Sequence, residues 1–504
     1  MGQRLGCCDD SADKNLPVET TVASNTDVDG MQAPPVERTM TIKDRKLHAE
    51  SYLEVDHELV YGINLKSTLW GIGRIWNRKP KVISHAWNNA VRLQRFDLFL
   101  SHCWETPGKW KFLSLLVQTG QVWCLIGWLV GLTMGMFVDV SKILPPSRGY
   151  SCWWTTCYLG PWLECGSFLG ATAGLFLSPY LPSFGAPQHA FLDVASIRQD
   201  DPTLMERGIY GIGGFLCVSS ELRILWSPPY MTRLWCVFEL AAYGKANPLG
   251  KVAFKPLFVE AAVLLLMAFF YLYSAIDQLR GVLVGGSGAG LLLNVLEISL
   301  FLIPVFPGGH LLRRAFQQKR ELIRDLQQFD LDSVRCTVES DREFILSAIT
   351  AWYGSTTAFS QYVATTLAQE LMEPLSGTGL PPSYWLLIAT PMLPAQLKYL
   401  IAVAKAETSG MDKPLILLVE ICRTVLSQVF MLLLLTRLAL ALFDRFSAPA
   451  PGQLLNYLKT AVVGVLFMMI AVTTAFARIF AVFQLGLAGG LGFFALTLFL
   501  MCAT

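Results

Sequence analysis

The sequence predicts two architectures in one chain: an α/β domain built on a parallel sheet, and a multi-pass α-helical membrane domain. Three observations carry this. Short apolar runs such as Leu222–Trp226 end at turn residues and pass into helix patterns. The stretches Phe112–Val138 and Gly166–Ala190 hold no formal charge, and each is long enough to cross a hydrocarbon core of ~30 Å. The 504 residues are 53% hydrophobic and only 15% charged, too apolar for an ordinary soluble enzyme.

Residues 1–50 read as a polar, disordered tail. Its start, MGQRLGCC, makes Gly2 a candidate for N-myristoylation and Cys7 and Cys8 candidates for palmitoylation, with Gly6 standing where Ser or Thr is favoured. Two acyl chains would hold this end on membrane lipids at the cytosolic face. The 12 cysteines form no repeated CxxC pattern, so no metal site is expected and the thiols read as reduced. The net charge is +2 and no basic stripe marks a nucleic-acid partner.

Residues 51–118 hold an N-terminal segment and the first part of the α/β domain. Phe96–Leu100 reads as a buried strand ending in Ser101-His102, with a helix starting from Glu105. Residues 119–189 read as an inserted transmembrane hairpin, whose turn carries Cys152 and Cys157 on the non-cytosolic side, where a disulfide is permitted. Residues 190–260 resume the domain. Ala190–Ile197 is the second strand, Gly211–Ser220 a helix, Leu222–Trp226 the third strand and Val252–Val259 the fourth. Ser227, Pro228 and Pro229 stop the third strand, Thr232 can cap the next helix, and Trp235 and Glu239 lie four apart on one face of it. Parallel strands share their C-terminal edge, which directs Ser101, His102 and Asp193 toward the same crevice as Glu239.

Ser227, Tyr230, Trp235, Cys236, Glu239 and Leu240 together resemble the most recognisable segment of Toll/interleukin-1 receptor (TIR) domains, plant-like ones especially. Asp97, Phe99, Leu100, Ser101 and His102 resemble the family's first strand, and Phe191-Leu192-Asp193 its second. Glu206, Arg207, Gly208 and Ile209 resemble the loop through which plant-like members self-associate. The resemblance covers residues 96–118 and 190 to about 260. It implies a flavodoxin-like sheet, self-association, and Glu239 as the catalytic residue of NAD-cleaving members. NAD+ would be a substrate and not a prosthetic group, with Trp235 stacking on a ring and Ser101, His102 and Asp193 lining the crevice. The chain departs from the family in its inserted hairpin and in lacking a final helix and strand; Val334–Val338 is the candidate for a distant fifth strand.

Residues 261–309 read as a second transmembrane hairpin, 310–380 as a cytosolic helical segment packing on the sheet, and 381–504 as C-terminal transmembrane helices. About eight spans result. Arg313, Arg314, Lys319, Arg320 and Arg324 favour the cytosol, which places both termini and the α/β domain there. Glu297, Lys398, Glu420, Arg423 and Arg437 fall in or near apolar spans and read as snorkelling side chains, or as a Glu420–Arg423 pair. Three functions fit: an NAD+ hydrolase in signalling, a non-catalytic TIR assembly module, and a channel or transporter regulated by the TIR-like domain.

Overall fold

The computed structural model describes residues 4–5, 52–77, 87–141, 143–144, 148–151, 156–284, 291–372, 380–405 and 413–503. Gly2, Cys7, Cys8, Cys152 and most of the 1–50 tail lie outside them. Arg4–Leu5 pairs with Val55–Asp56. Six strands form the main sheet: β1 (Tyr61–Asn64), β2 (Val91–Arg92), β3 (Leu98–His102), β4 (His189–Phe191), β5 (Glu221–Trp226) and β6 (Lys251–Pro256), in the spatial order β6-β5-β3-β4-β1-β2. The β6, β5, β3 and β4 strands are parallel; β1 and β2 add an antiparallel edge.

The four parallel strands are those the sequence predicts, and they lie side by side in the order second, first, third, fourth. That is the order of doubly wound sheets of the flavodoxin type, whose topological switch falls between the first and third strands, here β3 and β5. The pleat sends alternate residues to opposite faces. Phe99, Phe191, Leu222 and Ile224 join one core cluster, and Leu98, Leu100, Ala190 and Leu225 the other. With both faces covered, the strands carry almost no polar residue until their ends.

Several expected boundaries shift for local reasons. The second strand stops at Phe191, because Leu192 N–H donates to Ser196 Oγ and Asp193 accepts from Val194 N–H, folding Asp193–Ser196 into one helical turn. The fourth strand stops at Pro256, and Leu257–Val259 begin a helix. Thr232 does not cap the helix after β5: its hydroxyl donates to Pro229 O, and Arg233 takes the cap position without a side-chain bond. Val334–Val338 is no fifth strand. Arg335 exchanges two backbone hydrogen bonds with Thr232 and Leu234, off the sheet, between a turn at Leu331–Ser333 and a helix from Glu339.

The first long helix, α1 (Gly108–Ser141), lies against the sheet with Phe112, Leu115 and Leu116 and continues into the apolar part. It packs antiparallel on α2 (Trp162–Leu177) through facing glycines. A Cβ on Gly131 would sit 2.0 Å from Gly166 O, one on Gly170 2.1 Å from Gly127 O, and one on Gly174 2.1 Å from Trp123 O. The backbones touch, a small-residue packing that the four-residue glycine spacing at 127, 131, 135 and at 166, 170, 174 encodes.

Further helices are α3 (Pro202–Tyr210), α4 (Ile212–Cys217), α5 (Leu234–Ala246), α6 (Leu257–Val284), α7 (Leu291–Gln327), α8 (Glu339–Tyr353), α9 (Pro382–Ala389), α10 (Leu393–Lys405), α11 (Ser427–Arg445) and α12 (Gln453–Gln484), followed by Gly486–Ala503. Among the described residues four helices are long and apolar enough to cross a membrane, in α1, α6, α11 and α12; the pair α9–α10, bent by 52°, would make a fifth. This is fewer than the eight spans expected. The second hairpin helix α2 has only 16 residues, and α7 runs unbroken from its apolar start into its basic end. The segment after residue 310 is helical as expected, but it packs on α5 more than on the sheet: Tyr353 hydroxyl donates to Ala241 O at 3.0 Å.

Among the described residues three buried charges of the helical part, Lys398, Glu420 and Arg313, are held by partners; the side chains of Glu297 and Arg423 lie outside the description. Lys398 lies 3.3 Å from both Glu164 carboxylate oxygens and donates to Gln278 at 3.0 Å. Glu420 accepts from Tyr399 at 2.9 Å. Arg313, one of the basic residues expected to favour the cytosol, is 1% exposed. Its guanidinium donates to Phe446 O, Ala448 O, Asn456 O, Asn456 Oδ1 and Thr460 Oγ1, latching the turn between α11 and α12. Lysine keeps the charge but not the planar fork. Arg313→Lys is therefore expected to cost ~3 kcal/mol or more, since hydrogen bonds from charged groups contribute ~1.5–3 kcal/mol each. A melting temperature in detergent equal to wild type would contradict this latch.

Candidate functional site

The switch point between β3 and β5 brings three polar side chains together. Ser101 is the penultimate residue of β3, Tyr230 lies in the turn after β5, and Glu239 is on the second turn of α5. Ser101 Oγ lies 2.5 Å from Glu239 Oε2 and 2.5 Å from the Tyr230 hydroxyl, which in turn reaches Cys236 O at 3.3 Å. Ser101 and Tyr230 are fully buried, while the Glu239 residue keeps some solvent contact.

Burial pushes the Glu239 carboxyl up to about 8 despite the Ser101 hydroxyl, with Asp193 and Cys103 adding to the rise. The hydrogen-bond row suits both states. With Glu239 ionised, Tyr230 donates to Ser101 and Ser101 to the carboxylate. With Glu239 protonated, the direction reverses: Glu239 donates to Ser101, Ser101 to Tyr230, and Tyr230 to Cys236 O. Every hydroxyl keeps a partner in the second arrangement, which is the dominant one at neutral pH.

This has a consequence for stability. The folded carboxyl titrates above its ordinary 4.5, so the folded state is unpenalised below about 4.5 and loses stability as pH rises toward and through about 8. Glu239→Gln cannot ionise. Its melting temperature is expected to equal or trail that of wild type near pH ~5 and to exceed it increasingly toward pH ~8.5. A pH-independent difference between the two would show that Glu239 is not held in a desolvated site.

Next to Glu239 lie two thiols. A hydrogen bond from Cys236 pulls the Cys103 thiol down to about 6, against the effect of its own burial, and the same contact holds Cys236 well above the usual thiol range. Both are free, as are five other described cysteines; Cys217 is disulfide-bonded, an exception to the reading of reduced thiols throughout.

The sequence-predicted residues separate into two groups. Ser101 meets Glu239 directly, and Asp193 acts on it through its charge while accepting from the Trp104 indole at 2.6 Å. His102 points to the opposite face of the sheet, as the residue after Ser101 must. There its ring packs edge-on against Trp76 and Trp104, with centroids 5.2 and 4.5 Å away. Trp235 turns away from Glu239: its indole donates to Asp341 at 3.2 Å and packs on Phe238 and Phe344.

The structure adds residues that sequence reasoning passed over. Tyr230 was quoted as a motif residue but not as part of the site. Lys111, fully buried, holds its ammonium 4.7 Å from the Trp104 ring and 5.6 Å from the Trp76 ring. A lysine on the sheet-facing side of α1, amid apolar residues, was the available signal. Among the described residues no group of His, Cys, Asp and Glu side chains could hold a metal ion. Two cavities lie away from this site: about 750 Å³ beside Lys66, Gln118, Arg223 and Tyr384, and about 230 Å³ beside Tyr61, Trp87 and Arg198. No family model matches the chain, and no curated protein and no solved structure matches it.

Proposed function

We propose that the chain is a multi-pass integral membrane protein whose α/β domain is a TIR-like NAD+ hydrolase, with that domain and both termini in the cytosol. The observation that carries the reading is the place of Glu239: on a helix beside the β3–β5 switch point, where open parallel sheets bind ligands. Cleaving the nicotinamide–ribose bond leaves an oxocarbenium-like ribose. A carboxylate beside that sugar stabilises the growing positive charge and can hold ribose hydroxyls. Nicotinamide leaves readily as a neutral base, so no strong general acid is required.

In the arrangement described, Glu239 is enclosed and mostly protonated. Cleavage therefore needs an arrangement in which substrate hydroxyls replace Ser101 at the carboxylate and the Glu239 proton passes to solvent, with which that residue keeps some contact. Self-association through the Glu206–Ile209 surface is a source of that change. Arg207 there is tied to Asp56 at 2.5 Å and Glu58 at 2.7 Å, contacts that a second copy would have to accommodate or exchange.

The second reading, a non-catalytic TIR assembly module, is favoured by one observation: Ser101 already occupies the Glu239 carboxyl. The test is nicotinamide release from NAD+ by the purified full chain in nanodiscs, over a range of protein concentrations. Release that rises faster than linearly with concentration supports an assembling hydrolase; no release at any concentration leaves the assembly module.

A further inference from the structure

We propose that the helical part holds a binding site for one acyl chain of an amphiphile with an anionic head group, its charge placed on Arg478. The site is a cavity of about 420 Å³ between α6, α7, α11 and α12. Most of its wall is leucine, phenylalanine, methionine and alanine. It is long: Gln428 and Phe443 both line it, fifteen residues apart on α11, which is about 22 Å along a helix axis. Its charged residue, Arg478, and the amide of Gln428 lie together at the end away from the sheet, whereas Leu312, Phe443 and Phe467 close the other end.

That polar end is incomplete. Arg478 Nε and Gln428 Oε1 are both buried without a hydrogen-bond partner. Arg478 makes one long contact, from its NH1 to Ser427 Oγ at 3.4 Å, and among the described residues no carboxylate pairs with it. The fully buried cations of this part have partners: Lys398 has Glu164 and Gln278, and Arg313 has five acceptors. A guanidinium taken out of water without a counter-charge is costly, and a buried donor left unmade adds to that cost. An acidic head group seated here removes both costs. Gln428 can turn its amide, whose two ends are interchangeable in shape, and donate N–H to the same head group. The backbone is already widened at this place: Ile421–Leu426 forms a π turn directly before Ser427 and Gln428, a feature frequent at functional sites.

An apolar slot with one cation at its end matches an aliphatic tail bearing one acidic group. A free long-chain carboxylate and an acidic phospholipid of the surrounding bilayer share that chemistry. The test uses the full chain in neutral phosphatidylcholine nanodiscs and a photoactivatable long-chain carboxylate, with labelled peptides read by mass spectrometry. The expected result is labelling on α6, α11 or α12 residues that line the cavity. Arg478→Gln is expected to lower it by at least ~10-fold, the effect of losing one charge-assisted contact. Ala471→Phe, which fills the cavity and leaves Arg478 in place, is expected to lower it equally, and the corresponding long-chain alcohol to label poorly. Competition by phosphatidic acid at a fraction of the bilayer lipid assigns the site to a membrane lipid; competition only by added carboxylate assigns it to a free fatty acid. Labelling that survives both substitutions, falls on outward-facing residues, or is absent in every arm overturns the proposal.

Discussion

Replacing Glu239 by glutamine is expected to lower nicotinamide release by at least ~100-fold, the scale of losing one well-placed electrostatic group. Glutamine preserves shape and a hydrogen bond to Ser101 but carries no charge for a cationic transition state. Turnover should fall much more than NAD+ affinity, because the full positive charge develops only at the transition state. Folding should survive, since at neutral pH the native carboxyl is already largely neutral. A suitable control is Glu343→Gln, at an exposed acidic residue on α8. Glu221 is unsuitable despite its distance from the crevice: it is buried and paired with Arg223 at 2.7 Å and Lys251 at 2.6 Å, so its loss leaves the sheltered Arg223 without its carboxylate. Equal release by wild type and Glu239→Gln would move the chemistry elsewhere; release changed as much by Glu343→Gln would point to a general loss of structure.

The hairpin formed by α1 and α2 is expected to be the least tolerant part of the chain. Gly131→Leu should abolish recovery of folded protein, because even its Cβ would stand 2.0 Å from Gly166 O. No side chain can swing aside there, as the opposing atoms are backbone on both helices. Separating the helices would also pull on α1 where it lies against the sheet, so the damage should reach the α/β domain. Val130→Leu, one position earlier and 57% exposed, should be recovered at wild-type yield. Similar yields of monodisperse protein for both variants would show that the glycine contacts do not hold the hairpin.

The parallel strands β3, β4 and β5 were legible because each is a short, mostly apolar and mostly buried run. Ser101 and Glu239 were legible for a related reason: shared strand polarity sends both to one edge of the sheet. The edge strands β1 and β2 were not, since four and two residues with mixed burial give no usable alternation. His102 and Trp235 illustrate the limit at the site. Neighbours in a strand face opposite ways, and two residues four apart on a helix can still part company when one finds a partner such as Asp341. The extent of the second hairpin helix was not legible, because uncharged sequence continues to residue 190 while α2 ends at Leu177. The burial of Arg313 was not legible, because composition records a positive charge and not the five acceptors that bury it.

The central claim, that the carboxyl at the β3–β5 crevice is the group that cleaves NAD+, is tested most directly by the pH dependence of kcat/KM for nicotinamide release. That profile reports groups of the free enzyme. If Glu239 acts in its ionised form from the site described, kcat/KM should rise with pH and level off above about 8. The rise should be absent from the residual activity of Glu239→Gln. A profile flat across that range, or one that levels off near the ordinary carboxyl value of 4.5, would contradict the account.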